Sequence, residues 1–546
     1  MRIWTLLSLA MGLGPLGWAL GCGSSAPPSG GSDGGLDAGA EAGIAAPAPQ
    51  VELSEGTAIG IRGSGFQEFL GIPYAAAPIG PLRWRPPASP GAFEAPLVAD
   101  SPPARCPQDL LGPSGTEDCL YLNVHSPDPR PAGAPVIVWI HGGGFVFGEG
   151  LQVDEGTRGD RIAADHGLVV VSLNYRLGAL GFLSHPALSA ESADGVSGNY
   201  GLLDQIAALR WVQQNIASFG GDPANVTLAG ESAGAISVCS LLAMPEAAGL
   251  FHRAIAQSGP CGAPTRTLAA SEDQGVILAA SLGCEGSADP AACLRAIAPE
   301  ALVAASDTGF SGIASGQGLP FGPVVDGHWL PEAPYDRFVR GDFHRVPLLY
   351  GWNRDEGTLF VNLAQTEPLL PEAYPAALLD LARGSVPLRD QILAAYPLDA
   401  YPDATYALSA VVGDVAITCP ARRALLALSA HTPSYAYYFT YPDAVFQLVA
   451  QFDLGAFHSA EIQYVFGHRA GFGSRPFFGD DLALSEAMMG YWSRFAIGAD
   501  PNDATATPWP AFDATEETHL ELERTIQPIL APSSAACEFW ESLGVF

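Results

Sequence analysis

The chain has 546 residues, of which 48% are hydrophobic and 15% are charged, a composition that predicts a globular protein and excludes a disordered one. The formal net charge is −32, and all 25 basic residues are arginine because the sequence contains no lysine. Nucleic acid is therefore excluded as a partner, since nothing supplies a basic patch that could neutralise phosphates.

Residues 1–22 are predicted to form a secretory signal. Arg2 precedes an apolar run over residues 3–20 that is too short, and too interrupted by Gly and Pro, for a transmembrane helix. The run ends in a sequence that resembles a bacterial lipobox, so Cys22 is expected to carry the lipid of an exported lipoprotein, with a plain cleaved signal as the alternative. Residues 23–50 are expected to form a flexible tether, so a membrane is contacted only through this possible anchor.

Export predicts that the cysteines form disulfides. Three pairs are expected from their positions in the chain: Cys106 with Cys119, Cys284 with Cys293, and Cys419 with Cys537. Cys239 and Cys261 are left free or unassigned. Because no cysteine or histidine cluster has the spacing of a zinc site, no metal is expected.

Apolar runs without alternation predict strands of a sheet that is covered on both faces, at residues 135–140, 168–173, 226–229, 347–350 and 435–439. The clearest helical period covers residues 202–219 and is ended by two glycines. This alternation predicts an α/β fold with a mostly parallel, doubly wound sheet, in one domain over residues 51–546. Residues 258–345 and 366–430 are expected to form helical excursions over the carboxyl edge of the sheet, where such sheets bind ligands.

The segment Gly230–Gly234 has the pattern G-x-S-x-G, with Ser232 at its centre. An apolar strand precedes it and a helical run over residues 233–244 follows it, which is the context in which such a serine stands on a sharp turn as a nucleophile. Since the chain contains 63 glycines, the pattern alone is weak. The flanking elements therefore carry the prediction.

A nucleophilic serine also needs a base, an acid and donors for the developing oxyanion. The glycines at positions 142–144 directly follow the strand over residues 135–140. A backbone without side chains can turn its amides toward a small anion, and this pattern is typical of lipases and esterases. A phosphate-binding loop is excluded because no Gly-Lys-Ser/Thr sequence follows.

With these motifs, the sequence closely resembles the type-B carboxylesterase family, the cholinesterase-like branch of the α/β-hydrolases. The resemblance runs over residues 51–546 and is carried by blocks in the family's order: Phe69–Ala75, Pro81–Arg85, Glu117–Val124, Asn174–Gly178, Gly198–Gln205, Phe219–Val226, Gln257–Gly259 and Cys537–Trp540. It implies an α/β-hydrolase fold and a serine esterase that needs no cofactor.

The resemblance also implies the partners of Ser232. The family's acid lies in an Asp-Glu-Gly block, here Glu356 with Asp355 as the competing carboxylate, and its base lies in a His-x-x-Glu-Ile block, here His458. The order serine, acid, histidine is the one this fold uses. The other implied site residues are the oxyanion donors Gly143, Gly144 and Ala233, the donor Ser258 beside the acid, and the buried supporting acids Glu231 and Glu461.

Two departures from the family pattern narrow the substrate. The loop between Cys106 and Cys119 lacks the cation-binding tryptophan of cholinesterases, and Thr358 and Leu359 stand where a second choline-contacting aromatic is found. The loop is also too short to be a lipase lid. We therefore expect hydrolysis of short- to medium-chain carboxylic esters, with a catalytically weak binding or scavenging lipoprotein as the alternative. The pocket is expected to be lined by Phe145, Val146, Leu359, Phe360 and Phe457.

Overall fold

The fold is organised around one large mixed sheet that carries helices on both faces. The computed structural model describes residues 47–109, 112–151, 156–306, 311–314, 318–365, 367–442, 451–469 and 477–546, and Ala48–Phe546 form one folded unit. The predicted signal, the site at Cys22 and nearly all of the predicted tether lie outside the described residues.

The strands are β1 (Gln50–Leu53), β2 (Gly56–Ile59), β3 (Ile61–Arg62), β4 (Phe66–Pro73), β5 (Leu97–Val98), β6 (Tyr121–Pro127), β7 (Ala134–Ile140), β8 (Val169–Leu173), β9 (Gly221–Glu231), β10 (Arg253–Gln257), β11 (Arg266–Thr267), β12 (Val324–Val325), β13 (Leu348–Asn353), β14 (Ser434–Phe439), β15 (Thr518–Leu522) and β16 (Gln527–Leu530). The helices are α1 (Asp160–His166), α2 (Gly178–Phe182), α3 (Pro186–Glu191), α4 (Tyr200–Asn215), α5 (Ala233–Ala243), α6 (Leu268–Ser281), α7 (Pro290–Ala296), α8 (Pro299–Ser306), α9 (Ser311–Ala314), α10 (Pro334–Arg340), α11 (Glu356–Ala364), α12 (Tyr374–Leu381), α13 (Val386–Ala395), α14 (Ala404–Gly413), α15 (Cys419–Ser429), α16 (Ile462–Phe466), α17 (Asp480–Gly498) and α18 (Ser534–Ser542).

The large sheet has 11 strands within the described residues, in the order β16-β15-β14-β13-β10-β9-β7-β8-β6-β4-β3. Neighbouring strands from β8 through to β15 pair in parallel, while β3, β4 and β6 at one edge and β16 at the other pair antiparallel. The five strands predicted from apolar runs are β7, β8, β9, β13 and β14, so the prediction of a mostly parallel α/β sheet is confirmed.

The helix predicted over residues 202–219 is α4 followed by a 3₁₀ turn over Ile216–Phe219, and Gly220 ends it with a φ of 86°. The predicted excursions contain α6–α10 and α12–α15. The sequence did not indicate β10, whose five residues begin with Arg253, end with Gln257 and contain only three apolar residues between them. This short strand matters because it lies between β9 and β13 and completes the parallel core.

The carboxyl ends of four parallel strands deliver the candidate site segments to one edge of the sheet. Strand β7 ends before the glycine run, β9 before Ser232, β10 before Ser258, and β13 before Glu356. Because neighbouring parallel strands end at the same edge, segments that are distant in sequence meet there.

Four disulfides link the described residues. Three are the pairs expected from the sequence, Cys106–Cys119, Cys284–Cys293 and Cys419–Cys537. The fourth joins Cys239 to Cys261, with their Cα atoms 6.0 Å apart. The sequence left the pairing of these two cysteines open, and the alternative of two free thiols is wrong. This pair could not be predicted from the sequence because Cys261 follows β10, a strand that the sequence did not indicate. Such a set of disulfides is typical of proteins in oxidising, extracytoplasmic compartments.

Candidate active site

Ser232 lies on a sharp turn between β9 and α5. Its φ of 55° and ψ of −118° are unfavourable for a residue with a side chain, and such a backbone persists where the surrounding structure enforces it. The two flanking glycines make the turn possible. A Cβ on Gly234 would lie 2.1 Å from the carbonyl oxygen of Ile140, and one on Gly230 would lie 2.6 Å from the Gly234 backbone. The Ser232 amide donates to the Gln257 carbonyl at 2.8 Å, which fixes the turn against β10.

Glu356 and His458 lie together at the same edge of the sheet. His458 Nδ1 and Glu356 Oε2 are 2.5 Å apart, and both side chains are almost completely buried. Within the described residues, His458 Nε2 has no hydrogen-bond partner. Ser232 is itself partly exposed, whereas its candidate partners are buried. The Glu356 carboxylate thus fixes the orientation of the imidazole through Nδ1.

The structure separates Glu356 from its neighbour Asp355. Asp355 pairs with Arg354 at 2.8 Å and accepts a hydrogen bond from the Ala456 amide at 2.8 Å. Glu356 instead points into the protein, where its Oε1 accepts from the Ser258 hydroxyl at 2.6 Å and from the Asn353 amide at 2.7 Å. Of these two neighbours, Glu356 is therefore the one that contacts the imidazole, and the expected Ser258 lies beside it.

Glu231 approaches the other side of the imidazole. Its Oε1 lies 3.2 Å from His458 Nε2, and a Cβ on Gly142 would lie 2.5 Å from its Oε2. Burial raises the pKa of Glu231 to about 8, although the His458 charge opposes that shift. Burial alone lowers the pKa of His458, but the carboxylates of Glu231 and Glu356 outweigh it and raise that pKa to about 9. Together the two groups retain a proton to higher pH than either would in water.

A network of hydrogen bonds between buried polar side chains lies next to the candidate triad. Glu461 is fully buried and accepts from Asn353 Nδ2 at 2.6 Å and from Gln257 Nε2 at 3.0 Å. Gln257 in turn accepts from the Trp492 indole at 3.0 Å. Asn353 Nδ2 also donates to the Phe457 carbonyl at 2.7 Å, next to the histidine. Burial raises the pKa of Glu461, and these donors oppose the shift.

Sequence reasoning missed Asn353, Gln257 and Trp492 as parts of the site. The first two stand at the last positions of β13 and β10, and a polar residue at the end of a parallel strand is the signal that could have indicated them. Trp492 lies in α17, and no local pattern points from it to the site.

The glycine run forms a tight loop beside Ser232. Gly143 and Gly144 have φ values of 95° and 60°, and a Cβ on Gly143 would lie 2.1 Å from the Phe147 carbonyl oxygen. A Cβ on Gly142 would lie 3.2 Å from the Cβ of Ser232, so the loop and the serine are neighbours. Within the described residues, the amides of Gly143, Gly144 and Ala233 make no hydrogen bond. These three donors are available to a ligand.

The expected pocket residues differ in their contacts and burial. Phe360 packs on His458 with ring centroids 4.8 Å apart, and the Phe457 carbonyl is held by Asn353. Phe145 is fully buried and packs edge-on against Phe182 at 4.9 Å, which makes it a support beneath the glycine loop. Val146 and Leu359 are partly exposed.

The chain is similar to known esterases over most of its length. The chain matches the carboxylesterase family over residues 47–540. It is 36% identical over 483 residues to fumonisin B1 esterase of Sphingopyxis macrogoltabida, covering 85% of this chain and 84% of that protein. It is also 36% identical over 488 residues to para-nitrobenzyl esterase of Bacillus subtilis (86% and 94% covered) and 35% identical over 508 residues to an acylcarnitine hydrolase of Mus musculus (87% of each covered). On these matches, which span nearly the whole described chain, the protein belongs to the carboxylesterase family.

Proposed function

We propose that this carboxylesterase hydrolyses short- to medium-chain carboxylic esters through an acyl-enzyme on Ser232, with His458 as the base and Glu356 as the acid of the triad. The observation that carries the proposal is the buried contact of 2.5 Å between His458 Nδ1 and Glu356 Oε2. A carboxylate on Nδ1 fixes the imidazole tautomer that presents an accepting Nε2 to a serine hydroxyl.

The proposed reaction has two halves. Ser232 Oγ attacks the ester carbonyl carbon while His458 Nε2 accepts its proton, and the bond to the alcohol oxygen then breaks as His458 returns that proton to the leaving oxygen. Water next attacks the acyl-enzyme, with His458 again as the base. The carboxylic acid departs, and the Ser232 hydroxyl is restored. Glu356 stabilises the imidazolium in both halves.

The proposed oxyanion hole consists of the amides of Gly143, Gly144 and Ala233. Their lack of other partners within the described residues supports this role, since a developing O⁻ would satisfy them. The partial positive charge at the start of α5 adds to the effect, because Ala233 is its first residue. Losing one such donor typically costs about 3 kcal/mol of transition-state stabilisation.

The proposed substrate class follows from the surroundings of the site. The disulfide loop of Cys106 and Cys119 offers no aromatic face for a quaternary ammonium group, and it is short. The contact of Phe360 with the imidazole, together with the apolar side chains of Val146, Leu359 and Phe457, supports an apolar acyl site. The relatives are named for the hydrolysis of fumonisin B1, acylcarnitine and para-nitrobenzyl esters, and this variety supports a broad ester specificity.

One assay tests the proposal. Protein lacking residues 1–22 should hydrolyse p-nitrophenyl butyrate, and Ser232→Ala should lower kcat by at least about 10⁴-fold. Ser240→Ala is the matched control, because the hydroxyl of this buried serine on the same helix donates to the Ile236 carbonyl, away from the site, and the variant should retain the parent rate. Equal rates for the Ser232→Ala variant and the parent would refute the assignment. A series of acyl chains from acetate to palmitate tests the substrate class, with the highest kcat/KM expected at or below the medium-chain esters.

For location, we propose an exported protein held at a membrane surface by acyl groups on Cys22, with residues 23–50 as its tether. The four disulfides support export, and the lipobox-like sequence supports the anchor. The intact mass of the mature protein tests the anchor. A mass that begins at another residue, or that lacks acyl groups, would refute it.

A further inference from the structure

Two serines of the candidate site have strained backbones, and they follow neighbouring strands. Ser232 follows β9 with a φ of 55°, and Ser258 follows β10 with a φ of 52°. Neither is a glycine, so each conformation persists only if the surrounding structure holds it in place. Whatever fixes the two turns relative to each other therefore also fixes the catalytic geometry.

The Cys239–Cys261 disulfide joins the two segments that carry these serines. Cys239 lies on α5, about 10 Å along the helix axis from Ser232, and Cys261 lies three residues after Ser258. Both cysteines are buried, with exposed fractions of 1% and 6%. The bridge is thus part of the interior beneath the site.

The bridge closes a ring with a backbone hydrogen bond at its other end. There, the Ser232 amide donates to the Gln257 carbonyl at 2.8 Å. Between the two links, the segments are in direct contact, since a Cβ on Gly259 would lie 2.5 Å from the Cβ of Ala235. A change in the spacing of α5 and the residue 258–261 turn would therefore move Ser258.

We infer that the Cys239–Cys261 disulfide is a positioning device for the esterase reaction: it holds Ser258 where its hydroxyl orients Glu356, and Glu356 in turn orients His458. This inference rests on the proposed function. The Ser258 hydroxyl lies 2.6 Å from Glu356 Oε1, a hydrogen bond that a small displacement would break. Misplacing a group of a catalytic site by about 1 Å can cost about 10²-fold in rate.

The chain contains a matched control for this role. Cys284–Cys293 also closes a short loop, with a sequence separation of 9 against 22, but it links the segment after α6 to α7. Neither segment contributes a residue to the candidate site. Removing either bridge should lower stability. Only removal of Cys239–Cys261 should also lower the rate of the chemical step.

The experiment compares the parent with the double variants Cys239→Ala/Cys261→Ala and Cys284→Ala/Cys293→Ala. Rates are measured on p-nitrophenyl butyrate and divided by the number of active sites titrated with a phosphonate ester, so that unfolded protein does not count. We expect kcat to fall about tenfold without the Cys239–Cys261 bridge, with KM changed less than twofold. The control variant should keep kcat within twofold of the parent.

A double-mutant cycle with Ser258→Ala separates positioning from general loosening. If the bridge acts through Ser258, removing it in the Ser258→Ala background should lower kcat less than twofold further, because the affected hydrogen bond is already absent. Full additivity of the two losses would overturn the inference. So would a kcat within twofold of the parent for Cys239→Ala/Cys261→Ala.

A folding defect also gives a definite answer. Cys239→Ala/Cys261→Val refills part of the lost volume, and if it folds it should show the same loss of kcat. If neither variant folds, the bridge is a requirement of the fold and the positioning role is overturned. The Ser232→Ala variant keeps this test distinct from that of the proposed function: if it keeps the parent rate, the triad assignment fails, whatever the bridge does.

Discussion

The contact between Glu231 and His458 predicts how the pH dependence of the esterase would change on mutation. The base works as a neutral imidazole, so kcat/KM should rise as the pH increases toward about 9, the raised pKa of His458. Glu231→Gln removes the carboxylate next to Nε2 and keeps the size of the side chain. The pKa of His458 should then fall, and the acid limb of the profile should move to lower pH.

The size of the shift follows from the distance. Two unit charges 3.2 Å apart interact by about 5 kcal/mol at an effective dielectric constant of about 20, which corresponds to roughly four pKa units. Burial drives Glu231 toward its neutral form, however, and the two groups titrate as a pair, so part of this interaction is lost at the pH values that matter. We therefore expect a displacement of about one to two pH units.

The assay is kcat/KM on p-nitrophenyl butyrate between pH 5 and pH 10, for the parent and for Glu231→Gln. Asp414→Asn is the control, because the pKa of this acid is also raised by burial, to about 6, while its partner is the Tyr396 hydroxyl. Its profile should coincide with that of the parent. A midpoint for Glu231→Gln that stays in place or moves to higher pH would refute the reasoning.

Three further predictions concern stability, measured by chemical denaturation. Replacing Cys419 and Cys537 by alanine releases a link with a sequence separation of 118 and should cost about 3 to 5 kcal/mol, with kcat per active site unchanged; a cost below about 1 kcal/mol would contradict this. Asp204→Asn leaves the buried Arg176 guanidinium without its carboxylate, which contacts it at 2.7 Å and 2.8 Å, and should cost about 3 to 5 kcal/mol; an unchanged unfolding midpoint would contradict this. Gly234→Ala places a Cβ 2.1 Å from a carbonyl oxygen and should lower the free energy of unfolding by about 3 kcal/mol. Gly498→Ala is the control, because open space surrounds its Cβ, and it should change that free energy by less than about 0.5 kcal/mol. Equal effects of the two substitutions would refute the steric argument.

The central strands and the nucleophile turn could be predicted because their signals are local. Buried parallel strands are apolar throughout, as in β8, where all five residues are buried. The turn at Ser232 needs glycine on both sides because a Cβ at either position would lie within 3 Å of backbone atoms. Both glycines fall within five consecutive residues, so the sequence shows this requirement locally. The strand β10 gave no comparable signal, since polar residues occupy both of its ends and only three apolar residues lie between Arg253 and Gln257.

Neither the pairing of Cys239 with Cys261 nor the polar network around Glu461 could be predicted, and one reason applies to both. Both depend on which residues meet once β9, β10 and β13 are aligned side by side. A sequence reveals that Gln257 is polar, but only the alignment of the strands reveals that it faces Glu461 and the indole of Trp492. A polar side chain can be buried where hydrogen-bond partners surround it. In this network the partners come from three distant parts of the chain.

The distribution of hydrogen-bond donors explains why burial raises the pKa of Glu231 to about 8. Glu356 accepts from a hydroxyl, a backbone amide and the imidazole, and Glu461 accepts from two side-chain amides, so each of these buried carboxyl groups has several hydrogen-bond donors. Glu231 Oε1 has no hydrogen-bond donor within the described residues and only the imidazole beside it. A third buried charge would have to be stabilised by His458 alone, which already neutralises part of Glu356. The raised pKa of Glu231 therefore follows from the short supply of donors, and the raised pKa of His458 sets the pH at which the base becomes neutral.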